Sequence, residues 1–322
     1  MLSEVNEHSF RKVLMTDSHW TPADIPDLKG RTALITGANS GIGYRTAQVL
    51  AEHGARILLA GRRPGSLADA ARRLGSDVPG ASLKTLELDL GDLAAIREAA
   101  APLAAGETID ILINNAGVMD VPERRLTPDG LELTVGTNHL GHFALTAHLM
   151  PALQRSSAAR VVTVSAVAAA WRSGDLADLM SERGYRPMSA YAKSKRANVV
   201  FTKELARRLA GSAHRAVAVH PGSAVTNLQR HTSASRTGRL FVALASRTLM
   251  GSPDGAAWPS LFAATHPEVT NGAYLGPAGR DQTSGTPKPA RLPAGADGPD
   301  LGAWLWHESE RLTGVTFPIL QT

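Results

Sequence analysis

From Arg31 onward, short apolar runs of strand length alternate with longer segments of helical period: residues 32–36 then 43–53, 56–60 then 66–74, 83–88 then 93–105. A strand must find a partner and a helix must bury one stripe, so repeated strand–helix–strand units wind into a parallel sheet with helices on both faces. The series continues with a strand at 110–114, a long helix at 131–153, a strand at 160–165, a helix at 189–209 and a strand at 216–220. A helix at 255–265 and a seventh strand at 273–275 close it. The expected fold is α/β, a single domain built on a doubly wound parallel sheet of about seven strands. Right-handed crossovers place its ligand crevice at the carboxyl ends of the strands.

On this reading residues 1–28 are an N-terminal arm, 29–280 the domain, and 281–322 a C-terminal surface tail. An irregular insertion lies at 166–188, and two stretches break the alternation: a Ser-, Thr-, Arg- and Gly-rich segment at 222–252, a candidate lid, and a Pro-, Gly- and Ala-rich one at 276–300, read as surface tail. Residues 133–154 carry no charge but hold Asn138, three His, three Thr and Pro151, so they are expected to form a buried helix and not a membrane span. The first twenty residues lack an apolar core of signal-peptide length, and the expected location is the cytoplasm.

Charge and cysteine usage narrow the chemistry. Lys and Arg total 34 against 29 Asp and Glu, a net charge of +5, but the basic residues occur as isolated pairs such as Arg62-Arg63 and Arg72-Arg73. Nucleic-acid binders gather charge on one face, so no nucleic-acid partner is expected. The absence of cysteine excludes a disulfide, a thiolate nucleophile and Cys-ligated zinc. His139 and His142 stand at i and i+3 with no third ligand placed beside them, and no metal is expected there.

The first strand runs into Thr36-Gly37-Ala38-Asn39-Ser40-Gly41-Ile42-Gly43. Glycines permit positive φ and close backbone approach, and the N–H groups of the helix that follows suit a pyrophosphate. This GxxxGxG turn resembles that of the short-chain dehydrogenase/reductase family. The likeness recurs in order at Asn114-Asn115-Ala116-Gly117, at Asn138 in Thr137-Asn138-His139-Leu140-Gly141, at Ser165, at Tyr191 to Lys195 as YxxxK, and at Pro221-Gly222, covering about residues 30–275. The resemblance implies a Rossmann-type fold, a nicotinamide dinucleotide, and hydride transfer between a carbonyl and an alcohol.

Tyr191 and Lys195 lie four apart and share one helix face. A free phenol has a pKa of about 10, and a nearby ammonium lowers it, so Lys195 is expected to activate Tyr191 as the general acid or base. Ser165 ends a strand, where its hydroxyl can bond the reacting carbonyl oxygen or merely serve the turn. Asn138 sits in an apolar helix and must find partners; by resemblance it helps hold a water that links the lysine to solvent. The implied catalytic set is Asn138, Ser165, Tyr191 and Lys195.

Cofactor choice is read at the end of the second strand. An acid there would grip a ribose 2′-hydroxyl, whereas Leu59-Ala60-Gly61-Arg62-Arg63 offers two guanidiniums suited to a 2′-phosphate. NADP(H) is therefore expected over NAD(H), with Arg62 at the family's phosphate-binding position. By resemblance Asp89 and Leu90 contact adenine, although Asp89 is also placed to cap the next helix. Asn115, Ala116 and Gly117 border the adenosine half, Asn39, Ser40 and Ile42 belong to the phosphate turn, and Pro221, Gly222 and Thr226 lie toward the nicotinamide.

Tyr191 stands 26 positions beyond Ser165. The enlarged insertion, with Trp171, Leu179, Met180, Tyr185 and Pro187, resembles the retinol-dehydrogenase-like branch and implies a lipophilic carbonyl or alcohol substrate. The insertion either forms an apolar pocket or packs on the sheet edge. Two rival functions are a non-catalytic NADP-binding regulatory protein, which has no need of Tyr191 and Lys195, and an epimerase or dehydratase of the extended branch, which the glycine spacing disfavours. Family members often pair through their long helices, here those containing Asn138 and Tyr191, so a homo-oligomer is a further expectation.

Overall fold

The computed structural model describes residues 20–222, 253–279 and 285–318. The expected lid, beyond Gly222, and Thr226 lie outside the described residues. Seven parallel strands form the sheet: β1 Thr32–Thr36, β2 Arg56–Gly61, β3 Leu83–Glu87, β4 Ile111–Asn114, β5 Arg160–Val164, β6 Arg215–Val219 and β7 Tyr274–Pro277. Their spatial order is β3-β2-β1-β4-β5-β6-β7, and an eighth strand, β8 Pro287–Pro289, pairs antiparallel with β7. The order reverses between β1 and β4, and a ligand crevice opens at such a switch point.

The helices are α1 Gly41–Glu52, α2 Pro64–Asp77, α3 Leu93–Gly106, α5 Pro187–Arg208, α6 Pro253–Thr265 and α7 Pro299–Thr313, with the long helix α4 between α3 and α5. α4 runs through Leu133–Val135, widens into a π turn at Gly136–Leu140 and continues through Gly141–Gln154. Successive strand residues face opposite sides of the sheet. Ile35 therefore packs with Leu50 and Phe262 from α1 and α6, while Leu34 packs with Ile96, Phe143 and Leu149 from α3 and α4. Among the described residues no helix is long and apolar enough to cross a membrane.

Both ends of the chain contribute more than the sequence suggested. Trp20, from the expected arm, is buried edge-on against Phe262 with ring centroids 5.1 Å apart. The segment expected to be a surface tail supplies β8 and α7, and Trp306 and Phe317 enter the core. Trp306 lies 5.3 Å from Phe143 of α4 and 5.9 Å from Phe201 of α5. The aromatic side chains of both long helices are thus covered by the chain's own C-terminal residues.

Part of the insertion packs inward and part borders the crevice. Leu176 and Leu179 are buried in the cluster that contains Val135 and Val199, and Lys193 of α5 donates to the Asp178 carbonyl at 2.6 Å. Val167 and Trp171 instead stay exposed beside the crevice.

Candidate active site

Two features of the glycine turn shape one end of the crevice. Gly37 and Gly41 have φ of 68° and 58°, left-handed values that favour glycine. A Cβ on Gly37 would press on Ala116 Cα at 3.1 Å, whereas a Cβ on Gly41 would meet nothing within 4 Å. Gly41 therefore borders open space at the start of α1. Ser40, the N-cap, makes no side-chain capping bond, so the first N–H groups of α1 remain available. An uncapped helix start beside an open glycine fits a pyrophosphate.

The turn is fastened from behind. Thr36 Oγ1 accepts from the backbone N–H groups of Asn115 and Ala116, both at 2.9 Å, and Asn115 Nδ2 donates to the Thr36 carbonyl at 2.8 Å. His142 Nδ1 lies 3.0 Å from the Asn138 carbonyl, which can only accept. Burial pushes this imidazole down to about 3, so it is neutral and its Nε2 must accept from the Thr36 hydroxyl at 2.9 Å. His139, which burial pushes down to about 4, reaches Ser309 on α7 instead. The two histidines thus serve different elements, and among the described residues no cluster of three or more metal-ligating side chains forms.

Asn138 occupies the π turn with both ends of its amide engaged. Its Oδ1 accepts from Val118 N at 2.7 Å, and its Nδ2 donates to the Val118 carbonyl and to Ser194 Oγ, both at 2.9 Å. It therefore joins the strand end after β4 to α5, the helix that carries Tyr191 and Lys195.

Tyr191 and Lys195 meet as their spacing requires. Lys195 Nζ lies 5.8 Å from the Tyr191 ring centroid and donates to the Val164 carbonyl at 3.0 Å. Burial pushes the Tyr191 phenol up to about 12 and the Lys195 ammonium down to about 8. Burial thus moves the phenol in the direction opposite to the lowering expected from Lys195. At neutral pH Tyr191 holds its proton, which is the state a proton donor needs.

Ser165 borders the same crevice. It is 1% exposed, and its hydroxyl donates to the Lys195 carbonyl at 2.7 Å, into the protein.

The remaining residues line one cleft of about 1110 Å³. Asn39, Ser40, Ile42, Gly43, Leu90, Asn115, Ala116, Gly117, Pro221 and Gly222 border it, as do the exposed Arg62 and Arg63 at the end of β2. Asp89 also lines it, with Oδ1 accepting from Gly91 N at 2.9 Å. The capping alternative for Asp89 falls away, because Asp92 caps α3 through bonds from Ala94 N and Ala95 N at 2.9 and 3.0 Å.

Arg72 and Arg73 of α2 join the rim, a role their sequence did not suggest. Arg73 donates to the Asn39 carbonyl at 3.3 Å, its guanidinium 4.7 Å from the Tyr44 ring centroid. Ser66, Asp69 and Arg73 stand at i, i+3 and i+7, and that shared helix face was the available signal. Across β1 and β4 from this polar rim, Met119, Ala166, Val167, Trp171 and Met188 make the cleft apolar around Tyr191.

A family model described as short chain dehydrogenase matches residues 31–237. Human retinol dehydrogenase 13 is 39% identical over 302 residues, spanning 90% of this chain and 87% of that protein. The crystal structure of an uncharacterized protein from Mycobacterium paratuberculosis is 39% identical with a TM-score of 0.75, covering 93% of this chain and 99% of that one. The Pseudomonas aeruginosa RhlG/NADP active-site complex is 28% identical with a TM-score of 0.60, covering 77% and 94%. The chain belongs to the short-chain dehydrogenase family of oxidoreductases, whose members bind a nicotinamide cofactor. Within the family it falls in the retinol-dehydrogenase-like branch.

Proposed function

We propose that the chain is an NADP(H)-dependent oxidoreductase that interconverts a carbonyl and an alcohol on a lipophilic small molecule. The observation that carries this reading is a single cleft with a cationic, uncapped-helix end and an apolar end built around the buried Tyr191–Lys195 pair. The backbone at Ser40 to Gly43 would hold the pyrophosphate and Arg62 a 2′-phosphate. Asp89, Leu90 and Asn115 to Gly117 would flank the adenosine, while Tyr191, Lys195, Pro221 and Gly222 would border the nicotinamide half. When bound, the cofactor supplies the hydride. Tyr191 gives its proton to the carbonyl oxygen as that oxygen takes the π electron pair, and the Lys195 ammonium stabilises the phenolate left behind. Oxidation of the alcohol runs through the same groups in reverse. The retinol dehydrogenase relatives and the apolar wall at Val167, Trp171 and Met188 support a lipophilic substrate.

The pH dependence follows from the two groups. Reduction needs a protonated phenol and a charged ammonium, and of these Lys195 loses its proton first, at about 8. Initial rates of NADPH oxidation should be level below neutrality and fall as pH rises through about 8. Rates that climb steadily from pH 7 to 9 would contradict this assignment.

Cofactor preference rests on Arg62. Arg62→Ala removes a charged donor from the rim and should weaken NADPH binding about tenfold to hundredfold while leaving NADH binding unchanged. Fluorescence titration with both nucleotides measures it, and equal affinity of the wild type for the two would end the NADP(H) reading.

A further inference from the structure

We infer that this chain presents no serine hydroxyl to the reacting oxygen: the side chain facing that space beside Tyr191 is the methyl of Ala166, and Ser165 is a structural brace. The inference deepens the carbonyl-reductase reading and rests on it. Beyond Val164 the backbone stays extended at Ala166, with φ −156° and ψ 163°, so neighbouring side chains leave on opposite faces. Ser165 borders the cleft but is 1% exposed, with its hydroxyl turned into the protein. Its one proton goes to the Lys195 carbonyl at 2.7 Å, and it also shares a side-chain hydrogen bond with Tyr274 of β7. Burial raises the Tyr274 phenol and keeps the phenol's proton in place. Ser165 is thereby held between α5 and β7.

Ala166, half-buried, lines the cleft and packs on the cluster of Ala168, Tyr191 and Ala192. The side chains at 166, 167, 168 and 188 that share this end of the cleft carry no polar group, while Trp171 of the insertion, which also lines it, carries an indole N–H. Negative charge growing on the carbonyl oxygen is then met by the Tyr191 proton without a second side-chain donor from β5. Loss of one preorganised donor typically costs roughly a hundredfold to a thousandfold in kcat, so a hydroxyl introduced at 166 has room to act.

The test compares wild type, Ser165→Ala and Ala166→Ser as full chains. It uses NADPH oxidation with a medium-chain aliphatic aldehyde, NADPH titration and thermal unfolding. Ala166→Ser should raise kcat about tenfold or more with unchanged NADPH affinity, recovering part of a missing donor's effect. Ser165→Ala should lower the thermal midpoint by roughly 2 to 8 °C, because two buried bonds are lost, and keep kcat within about fivefold. If Ser165→Ala does not fold, Tyr274→Phe removes only one of those bonds and should show the same pattern more mildly. Loss of a hundredfold or more in kcat for Ser165→Ala at an unchanged midpoint would overturn the inference, as would an Ala166→Ser variant no faster than wild type. If neither wild type nor Ala166→Ser oxidises NADPH with any carbonyl, the reductase reading fails separately. The brace is then judged by the midpoint alone, and a Ser165→Ala chain as stable as wild type overturns it.

Discussion

Replacement of Tyr191 by phenylalanine is expected to lower kcat for carbonyl reduction about a thousandfold while leaving fold and dinucleotide affinity intact. The variant deletes one oxygen. Among the described hydrogen bonds none to another protein group uses that hydroxyl, so its removal leaves no protein partner unpaired. The ring keeps its packing against Ala168 and Ala192, and the Lys195 ammonium keeps its bond to the Val164 carbonyl. Only the proton that neutralises the reduced oxygen is lost. Paired kcat and NADPH affinity measurements separate this from a folding defect. A variant within tenfold of wild type would mean that another group supplies the proton.

Trp306→Ala carries the largest expected effect on stability, about 3 to 5 kcal/mol, the range for deleting a buried large aromatic side chain. Trp306 is 2% exposed and stands 4.4 Å from Phe317 in addition to its contacts with Phe143 and Phe201. The Arg208 guanidinium lies 4.1 Å from its ring centroid, and its Nε1 donates to Glu310 at 3.1 Å. No small rearrangement of α7 can refill that space while satisfying those partners. The thermal midpoint should fall by roughly 10 °C. Because the same rings hold α4 against α5, the loss should also loosen the spacing between Asn138 and Tyr191 and reduce kcat in the fraction that remains folded. Denaturant unfolding gives the free energy, and a change below about 1 kcal/mol would show that α7 is dispensable to the core.

The sheet was legible because its strands are short apolar runs separated by helices of clear period. The expected 32–36 and 160–165 differ from β1 Thr32–Thr36 and β5 Arg160–Val164 by at most one residue. The C-terminal elements were hidden by their composition. β8 consists of Pro287, Lys288 and Pro289, and proline reads as a strand breaker except at an edge, which is where β8 lies. The start of α7 follows a Pro- and Gly-rich stretch that masked the apolar spacing of Leu301, Leu305 and Trp306.

In the site, the glycine turn and the Tyr191–Lys195 pair were readable because their chemistry depends on local spacing. What decides the rest is long-range. The side to which Ser165 points turns on a one-residue register at the end of β5 and on partners at positions 195 and 274. The π turn at Asn138 has no spacing signature, and its partner Val118 lies on a different element. The phenol's pKa depends on how deeply three dimensions bury it, which four residues of helix cannot state.

The central proposal is that this cleft moves a hydride between NADPH and a lipophilic carbonyl. The most direct measurement incubates the wild-type chain with a medium-chain aldehyde and NADPH deuterated at the transferring carbon, then weighs the alcohol product. One deuterium in the alcohol, with far slower transfer from deuterated NADH, is the predicted result. An alcohol without deuterium, or faster transfer from NADH, would contradict it.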